Sequence, residues 1–146
     1  YGPYQFPEKL IPLRVTHGLT GKQLPRYGDG ENIRDWLYVE DNCRAIALVL
    51  RKGKPGEIYN VGGHNERSNN AIVHAIIDQL GLSEERIKYV KDRLGHDQRY
   101  ALDSTKINRN LGWQPTTLFD TGLRNTINWY TTHRTWWQPL LDKEKL

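Results

Sequence analysis

The stretch Gly28-Asp-Gly-Glu-Asn-Ile-Arg-Asp-Trp-Leu-Tyr-Val-Glu-Asp-Asn-Cys-Arg-Ala45 decides how this chain is read. Gly28 and Gly30 flank Asp29 and predict a tight turn, because glycine adopts positive φ without a Cβ penalty. Arg34 to Val39 mixes aromatic, branched and charged residues directly after that turn, which predicts a strand. Glu40 and Asp41 end the strand and are placed to cap a helix, their carboxylates accepting from the first free backbone N–H groups. Over Asp41–Lys52, Cys43, Ile46, Ala47 and Leu50 recur at helical spacing, and Ala45, Leu48 and Val49 widen the apolar face. Arg34 is thereby expected at the rim of a core, held at the mouth of a strand that leads into a buried helix.

Before this stretch, Tyr1 to Pro7 reads as a loop. Glu8 to Thr20 reads as a helix with Leu10, Ile11, Leu13, Val15 and Leu19 apolar, closed by Gly21. Leu24 to Tyr27 is a short strand, joined by the glycine turn to the strand at Arg34. After it, Gly53 and Pro55-Gly56 turn the chain into a predicted strand over Glu57–Gly62. Ser68 or Asn69 caps a helix whose inner stripe is Ile72, Ile76 and Leu80, backed by Val73 and Ile77, with Gly81 at its end. Ile87 to Val90 is a strand, Asp92 to His96 a polar loop, and Arg99 to Leu102 a further short strand. Ser104 is expected to cap a helix running to Gly112. Thr117 is expected to cap the last helix, with Phe119, Leu123, Ile127 and Tyr130 on its buried stripe. From residue 134 on, Trp136 and Trp137 show no clear period. Strands and helices alternate, so the fold class is α/β.

The chain has 146 residues, 37% hydrophobic and 26% charged, enough for a globular unit with its own core. No apolar run is long enough to span a bilayer. The single Cys43 excludes an internal disulfide, fits a reducing compartment, and is expected to be a buried, inert thiol on its helix. The net charge of +4 raises nucleic-acid binding, but the basic residues are scattered among acids, as on a solvated mixed surface. The chain contains no methionine, so it is expected to be part of something longer.

No strand is followed by G-x-G-x-x-G, and neither the lipase-type serine elbow nor a metalloprotease helix is present. The five histidines show no metal-ligand spacing. What remains is a set of cations and amides. Arg34 follows the glycine turn, Arg93 and His96 share a loop with Gly95, and Lys9 and Asn69 each open a helix, where free N–H groups favour an anion. The planar arginine fork donates two parallel bonds to phosphate. The Pro25-Arg26-Tyr27 strand offers backbone groups and a ring to a flat base. Singly, each of these residues also fits a salt bridge or a cap. Together they suggest a pocket for a nucleoside diphosphate.

Five segments carry a resemblance: Tyr1 to Leu13, Arg34-Asp-Trp-Leu-Tyr-Val-Glu-Asp41, Tyr59-Asn-Val-Gly-Gly-His-Asn-Glu66, Asp92-Arg-Leu-Gly-His-Asp-Gln-Arg-Tyr-Ala101 and Leu111-Gly-Trp-Gln-Pro115. In them the chain resembles the dTDP-glucose 4,6-dehydratase family of extended short-chain dehydrogenase/reductases, from Tyr1 to about Tyr130. The resemblance implies a C-terminal, substrate-binding portion, a small mixed sheet with helices, with the Rossmann half missing. It implies a nucleotide-sugar-binding domain with the last Rossmann elements over residues 1–133 and a tail over 134–146. It implies no catalytic residue in this chain, no metal, and NAD held by the part that is not here. It implies dTDP-glucose as substrate, contacted by Lys9 and Leu10, by Pro25, Arg26 and Tyr27 along the thymine, by Arg34 and Arg93 as a pyrophosphate clamp, and by Asn69 with the loop Asp92, Arg93, Leu94, Gly95 and His96. A cytoplasmic homodimer without nucleic-acid or membrane partners follows from the same likeness. Two positions depart from many relatives: Leu94, where Pro is usual, and Cys43, where His is common. Another nucleotide-sugar dehydratase, an epimerase or decarboxylase, or a non-catalytic binding module are the alternatives.

Overall fold

A computed structural model describes residues 1–92 and 94–143. Helix α1, Leu10–Leu19, begins after Lys9 and buries Ile11, Pro12, Arg14, Val15 and Thr16. Strand β1, Leu24–Tyr27, follows it. Strand β2, Ile33–Asp35, precedes helix α2, Val39–Lys52. Strand β3, Glu66–Ser68, runs directly into helix α3, Asn69–Leu80. A single 3₁₀ turn, Glu84–Arg86, leads to strand β4, Ile87–Val90. Strand β5, Arg99–Tyr100, is followed by helices α4, Thr105–Leu111, α5, Phe119–Thr132, and α6, Arg134–Lys143.

The strands form two small sheets. β1 pairs with β4 in parallel, and β2 lies between antiparallel β3 and parallel β5. β1 and β2 therefore belong to different sheets, and the Gly28–Gly30 turn moves the chain from one to the other rather than closing a hairpin. Gly28 and Gly30 both have positive φ, as expected. At Gly30 a Cβ would meet the Asn70 side chain at 2.0 Å, so no larger residue fits. Asn70 holds this turn through its backbone N–H to Gly30 O and its Nδ2 to Asp29 O, both 2.9 Å.

The main core lies between α1, α3, α5 and β1. Ile11, Val15, Leu24, Ile72, Ile76, Leu123 and Tyr130 are all fully buried in it. The stripes of α3 and α5 are the ones the spacing predicts. Ser68 caps α3, its Oγ accepting from Ala71 N at 3.2 Å, and Gly81 ends the helix in the left-handed region. A second, smaller cluster joins Ala45 of α2 to Ile107 and Trp113.

Several expectations are corrected. The strand after the glycine turn is only Ile33–Asp35, and Val39 already belongs to α2. Tyr38 is the N-cap residue of α2, and Asp41 is turned away from the cap. Asp41 is 1% exposed and accepts from Arg44, Thr116 Oγ1 at 3.1 Å and Thr117 N at 2.9 Å, tying α2 to the segment before α5. The Cys43–Ile46–Leu50 face of α2 is the exposed one, with Ile46 60% and Leu50 85% accessible; Cys43 is not a buried thiol. α2 packs instead through Asp41, Ala45, Leu48 and Val49. Residues 57–62 are not a strand: Ile58 to Val61 find no backbone partner among the described residues, and Ile58 is 79% exposed. Pairing falls instead on Glu66–Ser68, which alternation alone did not mark. Ser104 is the N-cap residue of α4, as expected, but its hydroxyl makes no cap bond; the side-chain acceptor there is Asp103 Oδ1, 2.9 Å from Thr105 N. α5 starts after Leu118, with no side-chain cap from Thr117. The segment from Arg134 is a helix that drives Trp137, fully buried, into the main core, its Nε1 donating to Tyr130 O at 2.7 Å.

Candidate functional site

A cleft of about 1090 Å³ opens beside the start of α1, the end of β1 and the β2–β5 pair. That is slightly above the range of about 300–1,000 Å³ usual for small-molecule sites. The cleft brings together six predicted residues: Lys9, Leu10, Tyr27, Arg34, Asn69 and His96. Each arrives from a different place in the chain. Lys9 and Leu10 open α1, Tyr27 ends β1, Arg34 is central in β2, Asn69 opens α3, and His96 lies in the loop before β5.

Arg34 is fixed by its surroundings. Its Nη1 donates to Ile33 O at 2.7 Å and its Nη2 to Asp97 O at 2.8 Å, and the guanidinium lies 4.3 Å over the Tyr100 ring. No carboxylate among the described residues pairs with it. A cation so oriented and without a counter-ion is suited to an anionic ligand, because little side-chain freedom is lost on binding. The neighbouring Asp35 serves the scaffold: its carboxylate accepts from Gly63 N at 2.7 Å and Asn65 N at 2.9 Å.

Asn69 presents a buried Oδ1 with no partner in the described structure. Lys9 is the N-cap residue of α1, its Nζ 2.5 Å from Glu8 Oε1 with both side chains about half exposed, so this pair is screened by solvent. His96 has its Nδ1 2.8 Å from Asp92 Oδ1, and this contact sets the ring's orientation. Asp92 thus acts on the cleft through His96 rather than by lining it.

Other predicted residues stand elsewhere. Arg26 is committed to its own scaffold: it lies 4.6 Å over Tyr89, donates to Tyr89 Oη at 3.3 Å, and donates to Asp29 O at 2.6 Å. Pro25 sits beside it in β1 and, like Leu94 and Gly95, is not part of the cleft wall; Leu94 is 99% exposed. Arg93 lies outside the described residues, so the second guanidinium of the expected clamp has no described position.

The cleft also contains residues that sequence reasoning missed. Tyr100 and Asp35 flank Arg34, and Arg14 lies one helical turn beyond Leu10. Arg14 is 3% exposed and donates from Nη1 to Leu10 O at 3.1 Å, while its Nε has no acceptor. Burial pulls its pKa down to about 10, partly offset by the Tyr27 phenol nearby. An arginine between Leu13 and Val15 is a mixed signal in a linear reading; only its neighbours show that it points inward.

The glycine turn does not provide a dinucleotide cradle. The space a Cβ would take at Gly30 is already filled by Asn70, and at Gly28 by Asp92. Among the described residues no group of His, Cys, Asp and Glu could hold a metal ion, and no helix is long and apolar enough to cross a membrane.

This mixed α/β architecture with its cation-lined cleft has clear relatives. The GDP-mannose 4,6 dehydratase family matches residues 1–126, and the chain belongs to that family. Within it, the chain is similar to the dTDP-glucose 4,6-dehydratase of Escherichia coli, 53% identical over 97% of this chain and 42% of the relative. It is similar also to the DesIV dTDP-glucose 4,6-dehydratase of Streptomyces venezuelae, solved with NAD and TYD bound: 51% identity, TM-score 0.93, covering 96% of this chain and 44% of that one. The UDP-glucose 4-epimerase of Thermotoga maritima, solved with UDP-glucose, shares 30% identity at a TM-score of 0.84, over 90% of this chain and 43% of that one. The chain thus spans less than half the length of these relatives.

Proposed function

We propose that this chain is the nucleotide-sugar-binding part of a dTDP-glucose 4,6-dehydratase, a hydro-lyase that converts dTDP-glucose to dTDP-4-keto-6-deoxyglucose on the way to deoxysugars such as dTDP-rhamnose. The observation that carries this reading is the identity of just over one half to dTDP-glucose 4,6-dehydratases across nearly the whole chain. The epimerase alternative is supported at a much lower identity. The cleft supports it chemically. Arg34, the α1 start at Lys9, and His96 offer positive or N–H donor groups to a diphosphate, and Tyr27 and Leu10 offer apolar surface to a base.

On this reading the chain's residues bind and orient, and the substrate's sugar end extends toward the part of the protein beyond this chain. NAD, when bound there, supplies the hydride acceptor and donor. Binding energy gathered remotely at the diphosphate holds the sugar in a reactive geometry, so contacts here raise turnover as well as affinity. Residues 1–133 are assigned to the nucleotide-sugar-binding domain with the last Rossmann elements. Arg93, from its loop, is assigned to the same diphosphate as Arg34. The exposed Ile46, Leu50 and Ile58 are assigned to the face that the rest of the protein covers. A cytoplasmic homodimer, without nucleic acid or membrane, is assigned by likeness to the same enzymes. The test is turnover of dTDP-glucose by the full-length protein, followed through the 4-keto product. Arg34→Ala is expected to weaken dTDP-glucose binding about tenfold or more, from the loss of charge-assisted bonds worth roughly 1.5–3 kcal/mol each. Unchanged affinity would remove Arg34 from the site.

A further inference from the structure

Arg14 is the most deeply buried cation in the cleft wall, and nothing in the described structure neutralises it. It is 3% exposed, takes part in none of the ion pairs among the described residues, and spends one Nη1 bond on Leu10 O while its Nε finds no acceptor. A guanidinium has five N–H donors. Leaving a buried donor unmet is costly; Nε is walled in, but Nη2 of this cleft-lining guanidinium has no hydrogen-bond partner in the described structure and is the group that an acceptor brought by a ligand can meet.

The surroundings say which acceptor. Arg34 occupies the part of the cleft formed by β2 and β5, beside Asp97 and Tyr100, where a hydrated diphosphate can be held. Arg14 stands among Leu10, Leu13 and the Tyr27 phenol, between α1 and the end of β1. Two apolar leucines and an aromatic ring make a setting suited to a base. A base enters such a slot with the edge farthest from its ribose leading. In a pyrimidine that edge carries position 4: a carbonyl oxygen in thymine or uracil, an amino group in cytosine. A guanidinium donates to the first and repels the second, which also only donates.

We propose that Arg14 is a specificity-determining residue that donates to the 4-keto oxygen of a thymine or uracil base and selects keto over amino pyrimidines. This rests on the nucleotide-sugar reading above and adds to it the group that reads the base. A site built to hydrogen-bond one polar group rejects the analogue that leaves its donors unmet.

The experiment uses the full-length protein with NAD and measures binding of dTDP and dCDP by calorimetry. The wild type is expected to bind dTDP at least about tenfold more tightly than dCDP, the size of one charge-assisted bond. Arg14→Met keeps an unbranched apolar stem in place of the first part of the side chain and removes its donors. It is expected to lose about tenfold in dTDP affinity and to bring the two nucleotides to within about twofold of each other. Equal binding of the two nucleotides by the wild type overturns the proposal without using any variant. A correctly folded Arg14→Met protein that keeps both affinity and preference also overturns it, while leaving the nucleotide-sugar reading intact. A wild type that binds neither nucleotide sinks both.

Discussion

Asp41 shows how far one side chain can depart from what its position in the chain suggests. As an acid at the start of a helix it reads as a cap, yet its carboxylate is buried and spans from α2 to Thr116 and Thr117. Burial alone would raise its pKa; the bonds from Arg44, Thr117 and Thr116 outweigh this and hold it down at about 2. A depressed pKa adds stability above the unfolded value of 3.8, and that stability is lost as pH falls through the folded value. The Asp41 contribution is therefore expected to be complete near neutrality and to disappear between about pH 5 and pH 2. Asp41→Ala should cost about 1–3 kcal/mol at neutral pH, because the Thr117 N–H is left unpaired. Urea denaturation of wild type and variant across this range checks it: the gap between them should close at the acid end. Arg34 makes the complementary point. Its bonds to Ile33 O and Asp97 O place it, and Arg34→Lys is expected to restore only part of the lost dTDP-glucose affinity, since an ammonium can neither span both carbonyls nor present a fork to phosphate.

At the scale of elements, the informative case is α6. Residues 134–143 contain Pro139, yet they fold as a helix: Trp137, with Trp136 and Leu141 beside it, packs into the main core, and its ring is bonded to Tyr130. The ring is fully buried and its indole N–H is satisfied, so the helix is held by packing rather than by propensity. Trp137→Ala should destabilise the protein by about 3–5 kcal/mol, through lost burial and the cavity left behind. A large drop in the thermal midpoint would show this; a drop of a degree or less would mean that α6 is dispensable to the core.

For the molecule as a whole, the two sheets and two clusters leave one region incomplete. The exposed side of α2 and the extended run from Ile58 to Val61 present apolar side chains and backbone groups without partners among the described residues. Buried backbone groups are almost always paired, and an open strand-like edge is a pairing surface. Amide hydrogen exchange at Ile58, Tyr59, Asn60 and Val61 is expected to be fast in this chain alone and slow in the full-length protein. Equal exchange in both would mean that the rest of the protein does not cover this edge.

Much of this protein is written in local order. The α3 and α5 stripes, the Leu24–Tyr27 and Ile87–Val90 strands and the positive-φ turn at Gly28 and Gly30 follow from periodicity and from glycine's backbone freedom, which act over a few residues. The motif at Arg34 and the helix starts at Lys9 and Asn69 were legible for the same reason, and the cleft gathers all three. Other features depend on partners far along the chain. Whether 57–62 is a strand depends on a neighbour to pair with, which face of α2 is buried depends on Ile107 and Trp113, and whether Arg26 or Arg14 meets the cleft depends on Tyr89 and on the seat of α1. Local spacing determines which residues share a face. Only the folded chain decides what that face meets, because burial and pairing are interactions between segments distant in sequence.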